Sequence, residues 1–162
     1  MLSLNADLPD EAATLALGAA LAAALEPGAA IYLRGELGAG KTTLVRGVLR
    51  ALGHQGAVKS PTYTLVEVYE VSRLHLHHFD FYRFHDPREW IDAGFRETFN
   101  GLNVSLVEWP EKAGDLLPPP DIEIVLSASG SGRSVSLRAS SPIGIRLAER
   151  AATLFRFSPA TS

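Results

Sequence analysis

The run Gly35-Glu36-Leu37-Gly38-Ala39-Gly40-Lys41-Thr42 fits the pattern G-x-x-x-x-G-K-[ST] in full, with Thr43 behind it, and no other stretch constrains the fold as much. Such a loop needs a strand feeding it and a helix leaving it. Residues 30–33, Ala-Ile-Tyr-Leu, supply a short buried strand, and residues 43–52 carry the spacing of an amphipathic helix. Glycines at 35, 38 and 40 free the backbone to turn successive amides inward on an anion. Lys41 adds a point charge for terminal phosphates, and Thr42 offers a hydroxyl to Mg²⁺. The helix that starts near Lys41 aims its positive end at the same spot. These residues predict a nucleoside triphosphate bound with Mg²⁺ in an α/β protein.

The whole chain bounds that reading. Its 162 residues make one P-loop domain, 1–162, with a full core and no space for a second catalytic domain. A net charge of −3 gives no electrostatic case for tight binding of nucleic acid by this chain alone, so any nucleic acid would be held mainly by a partner. Cysteine is absent, which excludes disulfides and thiolate metal sites and fits a reducing cytoplasm. The Ala/Leu run at residues 12–25 follows Asp7, Asp10 and Glu11, the wrong polarity for an export signal, and is too short to span a bilayer. It reads as a helix capped by Asp10 and ended by Pro27-Gly28, so no membrane contact is expected.

Further along, residues 64–71 and 74–81 are strand-like and joined only by Ser72-Arg73, which predicts an antiparallel hairpin. Asp86-Pro87 opens a helical stretch, Gly94 interrupts it, and residues 95–99 resume it. Residues 102–107 form a strand that stops at Glu108-Trp109-Pro110. A second hairpin is expected from residues 122–128 and 134–139, and Ser141-Pro142 starts a last helix. The sum is a three-layer P-loop NTPase-like domain with a mixed central sheet of about six or seven strands, antiparallel hairpins included.

The loop needs a second acidic group for the metal at a neighbouring strand end, and Glu108 and Asp80 both qualify. Glu108 has the better context, because its strand delivers the carboxylate and then stops. Thr62 stands in a loop suited to closing over a γ-phosphate. His75, His77, His78 and His85 invite a metal site, but alternation sends His78 to the opposite strand face from His75 and His77. Arg83 could steady developing phosphate charge, or serve only as an ion-pair partner.

The blocks Gly38-Ala39-Gly40-Lys41-Thr42-Thr43, Val58-Lys59-Ser60-Pro61-Thr62-Tyr63-Thr64-Leu65-Val66-Glu67, His78-Phe79-Asp80-Phe81-Tyr82-Arg83 and Val107-Glu108-Trp109-Pro110, in this order, resemble the signatures of the TsaE family. The resemblance weakens after about residue 121, and Phe81 stands where that family commonly has Leu. It implies a cytoplasmic, Mg²⁺-dependent ATPase with low activity on its own. Such an enzyme supports threonylcarbamoyladenosine formation on tRNAs that read codons beginning with adenine, and acts with the TsaB and TsaD proteins. It implies that Lys41 cradles phosphate, that Thr42 and Glu108 hold the metal, and that Asp80 and Thr62 act beside the γ-phosphate. It further implies that Trp109 lies beside the site, and that Thr14 and Arg133 line the nucleotide with Gly38, Ala39, Gly40 and Thr43. Two other classes stay open on the residues alone: a small-molecule kinase, and a module that senses ATP without hydrolysing it. The kinase needs basic lid residues, and residues 101–132 hold only Lys112.

Overall fold

The computed structural model describes residues 1–58, 61, 65–84, 86, 88 and 94–159. In chain order the strands and α-helices are β1 (Leu2–Leu8), α1 (Glu11–Ala24), β2 (Ala30–Arg34), α2 (Lys41–Ala51), β3 (Val66–Val71) and β4 (Leu74–Asp80). They continue with β5 (Val104–Glu108), β6 (Ile122–Ser129), β7 (Gly132–Ala139), α3 (Pro142–Ala152) and β8 (Ser158–Pro159).

Each boundary follows from local chemistry. The Asp10 side chain accepts the Ala13 N–H at 2.8 Å and starts α1, and Ser141 accepts the Gly144 N–H at 2.9 Å to start α3. Ser72 and Arg73 both have positive φ, 47° and 65°, the backbone of a turn whose twist matches the two strands it joins. That turn makes β3 and β4 the expected antiparallel hairpin. Of the helical stretch expected after Asp86, residues 87 and 89–93 lie outside the described residues, and Phe95–Thr98 is a 3₁₀ turn.

One sheet holds all eight strands in the order β3-β4-β5-β2-β6-β7-β1-β8. Strands β4, β5, β2 and β6 run parallel, and the flanking pairings are antiparallel. All six strand-like runs of the sequence are present; β1 and the two-residue β8 extend the sheet beyond them.

Period-two alternation sorts the strand side chains onto two faces. On one, Ile31, Leu33, Leu76, Leu106, Ile124 and Leu137 join the core that α1, α2 and α3 cover. On the other, Tyr32, Phe79, Val107 and Phe81 pack with Phe84, Phe99 and Leu117, beneath the 3₁₀ turns Pro110–Lys112 and Gly114–Leu116. Burial also pushes the Tyr32 phenol upward, and its hydroxyl donates to the Pro118 carbonyl. Helices α1 and α2 meet through Gly18 and Gly47; a Cβ on Gly18 would lie 2.7 Å from the Leu44 carbonyl oxygen. This close crossing holds α2 beside β5, and so fixes where the glycine-rich loop ends.

Candidate functional site

The loop is held by geometry that only its own residues satisfy. Gly35 has φ 152°, and a Cβ there would sit 2.6 Å from the Leu126 carbonyl oxygen. Gly40, with φ 105°, is the N-cap of α2 and offers no side-chain cap. The first N–H groups of α2 therefore face the loop interior without a competing side-chain oxygen, which is the arrangement an anion needs.

Lys41, the first residue of α2, is buried. Its Nζ donates to the carbonyl oxygens of Gly35 and Glu36, the latter at 3.3 Å, and lies 3.9 Å from the centre of the Trp109 ring. Burial holds the Lys41 ammonium below the usual lysine range, and the carboxylates of Glu108, Glu111, Asp80 and Glu36 oppose that shift. Trp109 reaches this position at a cost. Its φ of 58° is left-handed, uncommon for an aromatic residue and disfavoured before a proline. The strained turn ends β5 and swings the indole over Lys41.

The carboxylates come from adjacent strands. Asp80 and Glu108 end β4 and β5 and pair in register, and alternation turns both to the helix-covered face along with His78. Glu108 is only 2% exposed. Thr42 Oγ1 lies 3.1 Å from each of its carboxylate oxygens, and His78 Nε2 lies 2.6 Å from Oε2. Those bonds compensate a carboxylate taken out of water. Asp80 accepts the Tyr82 N–H at 2.9 Å, and the Tyr82 ring lies 5.0 Å from that of Trp109. A hydroxyl beside a buried carboxylate is a hard, all-oxygen donor pair of the kind Mg²⁺ takes while keeping most of its water shell. The residues present therefore fit the ion.

Two cavities meet at the loop. One of about 310 Å³ is lined by Gly38, Lys41, Thr42, Asp80, Glu108 and Arg83. The other, about 180 Å³, lies behind the loop and is lined by Thr14, Gly38, Gly40, Thr43 and Arg133. Arg133 braces this wall: its Nε donates to the Ala39 carbonyl at 3.1 Å and a terminal nitrogen to that of Gly38 at 3.0 Å.

The structure thus gathers Lys41, Thr42, Asp80, Glu108 and Trp109 around the front cavity, and Thr14, Thr43 and Arg133 around the rear one. Thr62 lies outside the described residues, although its neighbour Pro61 lines the front cavity. Among the described residues the histidines form no metal-binding cluster: His75 faces Glu70 at 3.6 Å on the surface and His78 turns to Glu108, while His85 lies outside the described residues. The contact of His78 with Glu108 was missed by sequence reasoning. The signal lay in alternation, which sets His78 and Asp80 on one face of β4, but its use requires knowing that β4 lies beside β5.

A glycine-rich loop between a central parallel strand and a helix, with a buried carboxylate on the next strand, defines an α/β protein with a mixed central sheet and its candidate site at the strand ends. The family model described as threonylcarbamoyl adenosine biosynthesis protein TsaE matches residues 8–135. A tRNA threonylcarbamoyladenosine biosynthesis protein TsaE of Haemophilus influenzae is 44% identical over 149 residues, covering 89% of this chain and 94% of that one. One of the same description from Bacillus subtilis is 40% identical over 122 residues, 75% of each chain. The crystal structure of Bacillus subtilis YdiB superposes with a TM-score of 0.81 at 30% identity, covering 94% of this chain and 97% of that one. The chain belongs to the TsaE family, and its role lies in tRNA threonylcarbamoyladenosine biosynthesis. Among the described residues no helix is long and apolar enough to cross a membrane.

Proposed function

We propose that the chain is a cytoplasmic, Mg²⁺-dependent ATPase that works with the TsaB and TsaD proteins to form threonylcarbamoyladenosine on tRNAs reading codons that begin with adenine. The observation that carries this reading is the buried contact between the Thr42 hydroxyl and the Glu108 carboxylate, 3.1 Å apart at the N-terminus of α2 and beside Lys41.

The reaction is in-line attack of water on the γ-phosphorus. A phosphorus–oxygen bond to water forms as the bond to the β-phosphate oxygen breaks, leaving ADP and inorganic phosphate. Catalysis then rests on position and charge. The loop amides and the Lys41 ammonium neutralise the phosphate oxygens, and the Trp109 ring keeps water off one side of Lys41. Asp80 faces the terminal phosphate from the end of β4, and Thr62 acts beside the same phosphate. Thr14 and Arg133 bound the rear cavity, where the rest of the nucleotide lies. Mg²⁺, held by Thr42 and Glu108, would screen the charge of the β- and γ-phosphate oxygens.

Transfer of the threonylcarbamoyl group takes place on the partner proteins, with tRNA held through them. The test is made in a bacterium depleted of its own family member, by measuring threonylcarbamoyladenosine in digested tRNA. The wild-type chain restores the nucleoside, whereas Lys41→Ala and Glu108→Ala, expressed to the same level, do not. Full restoration by either variant would overturn the reading.

A further inference from the structure

We infer that His78 is a positioning residue for the metal site: its Nε2–H holds the Glu108 carboxylate in the orientation that pairs with Thr42. The inference deepens the proposed function and rests on its Mg²⁺ site.

His78 is 0% exposed, and its Nε2 lies 2.6 Å from Glu108 Oε2. A carboxylate can only accept, so the hydrogen lies on Nε2. Nδ1 is buried without a hydrogen-bond partner among the described residues. A bare lone pair there costs less than an unpaired N–H would, so the tautomer that serves Glu108 is also the one the surroundings tolerate. The imidazole is also fixed in place by the sheet. His78 pairs in register with Leu106, two residues before Glu108, so the ring reaches the carboxylate diagonally across neighbouring parallel strands.

The geometry leaves Glu108 little freedom. Thr42 Oγ1 is equidistant, 3.1 Å, from its two oxygens, and only Oε2 is bound by His78. Without the imidazole, the buried carboxylate would keep one hydroxyl partner and could rotate about its last torsion. Groups that orient a metal-binding carboxylate in this way characteristically change metal affinity while leaving the rest of the site intact.

Two variants separate orientation from folding. His78→Leu fills the space without a donor, and His78→Gln keeps an N–H near the former Nε2 position. ADP binding is measured by titration calorimetry in EDTA and across a Mg²⁺ series, with thermal unfolding recorded in parallel. His78→Leu is expected to leave ADP binding in EDTA unchanged and to raise the Mg²⁺ concentration for half-maximal effect by about 10- to 100-fold. His78→Gln is expected to stay close to wild type. A wild-type Mg²⁺ dependence in His78→Leu would overturn the inference. So would equal impairment of both variants, or a loss of ADP binding in EDTA that follows a loss of thermal stability, because each assigns the residue a packing role. A wild-type protein whose ADP binding ignores Mg²⁺ would overturn the proposed function together with the inference.

Discussion

Arg133 shows what a single side chain adds to the loop. Its guanidinium donates to two carbonyl oxygens, of Gly38 and Ala39, in the stretch that must present its amides to an anion. Holding the Ala39 carbonyl leaves the Gly40 N–H of the same trans peptide pointing the opposite way, while the Ala39 N–H donates to the Glu36 carbonyl at 3.0 Å and closes the turn. Hydrogen bonds from a charged donor contribute about 1.5–3 kcal/mol each, less where water competes, as it does at the half-exposed end of Arg133. Arg133→Ala should therefore weaken ADP binding by roughly tenfold, about 1.4 kcal/mol, with little change in melting temperature. Calorimetric titration of ADP checks this, and unchanged affinity would show that the loop holds its shape without the brace. At this scale the sequence was informative where one local motif carries the chemistry. Lys41 and Thr42 were legible because spacing alone identifies them. His78 was not, since its partner lies thirty residues away and only strand pairing brings the two together.

Among the elements, α1 and α2 cross too closely to admit a side chain at either glycine of the contact. A Cβ added at Gly18 would lie 2.7 Å from Leu44 O and 2.8 Å from Val48 N, and one at Gly47 would lie 2.8 Å from Leu15 O. In an exposed helix, replacing Gly by Ala stabilises by about 1 kcal/mol. Here the backbone atoms of the facing helix cannot step aside without moving α2. Gly18→Ala should destabilise the protein by about 1–3 kcal/mol, read as a lower urea midpoint at unchanged slope. A rise in midpoint would mean that the two helices part easily. The Ala-rich composition of α1 made its existence plain, but not that its small residues serve a close crossing. β1 escaped for a related reason. Leu2, Leu4, Ala6 and Leu8 alternate with Ser3, Asn5 and Asp7, the period of a half-buried strand, but no adjacent turn or hairpin partner marks it, since β1 pairs with β7 far along the chain. The two hairpins, with local turns to mark them, were readable from residues alone.

Over the whole molecule, the parallel strands β4, β5 and β2 carry Asp80, Glu108 and the glycine-rich loop to one edge of the sheet, the edge where α/β proteins bind ligands. The antiparallel strands at both ends widen the sheet without adding a carboxylate to that edge. The site is thus concentrated on one side of a chain whose net charge of −3 offers no broad attraction for tRNA, as the proposed division of labour between an ATP site here and a tRNA site on partners requires. Phosphate release from ATP by the purified protein, alone and with the TsaB and TsaD proteins, tests that account most directly. It predicts slow, Mg²⁺-dependent release that the partners accelerate and that Glu108→Gln lowers by at least about 100-fold. Release that is equal in wild type and Glu108→Gln, or absent even with both partners and tRNA present, would contradict it.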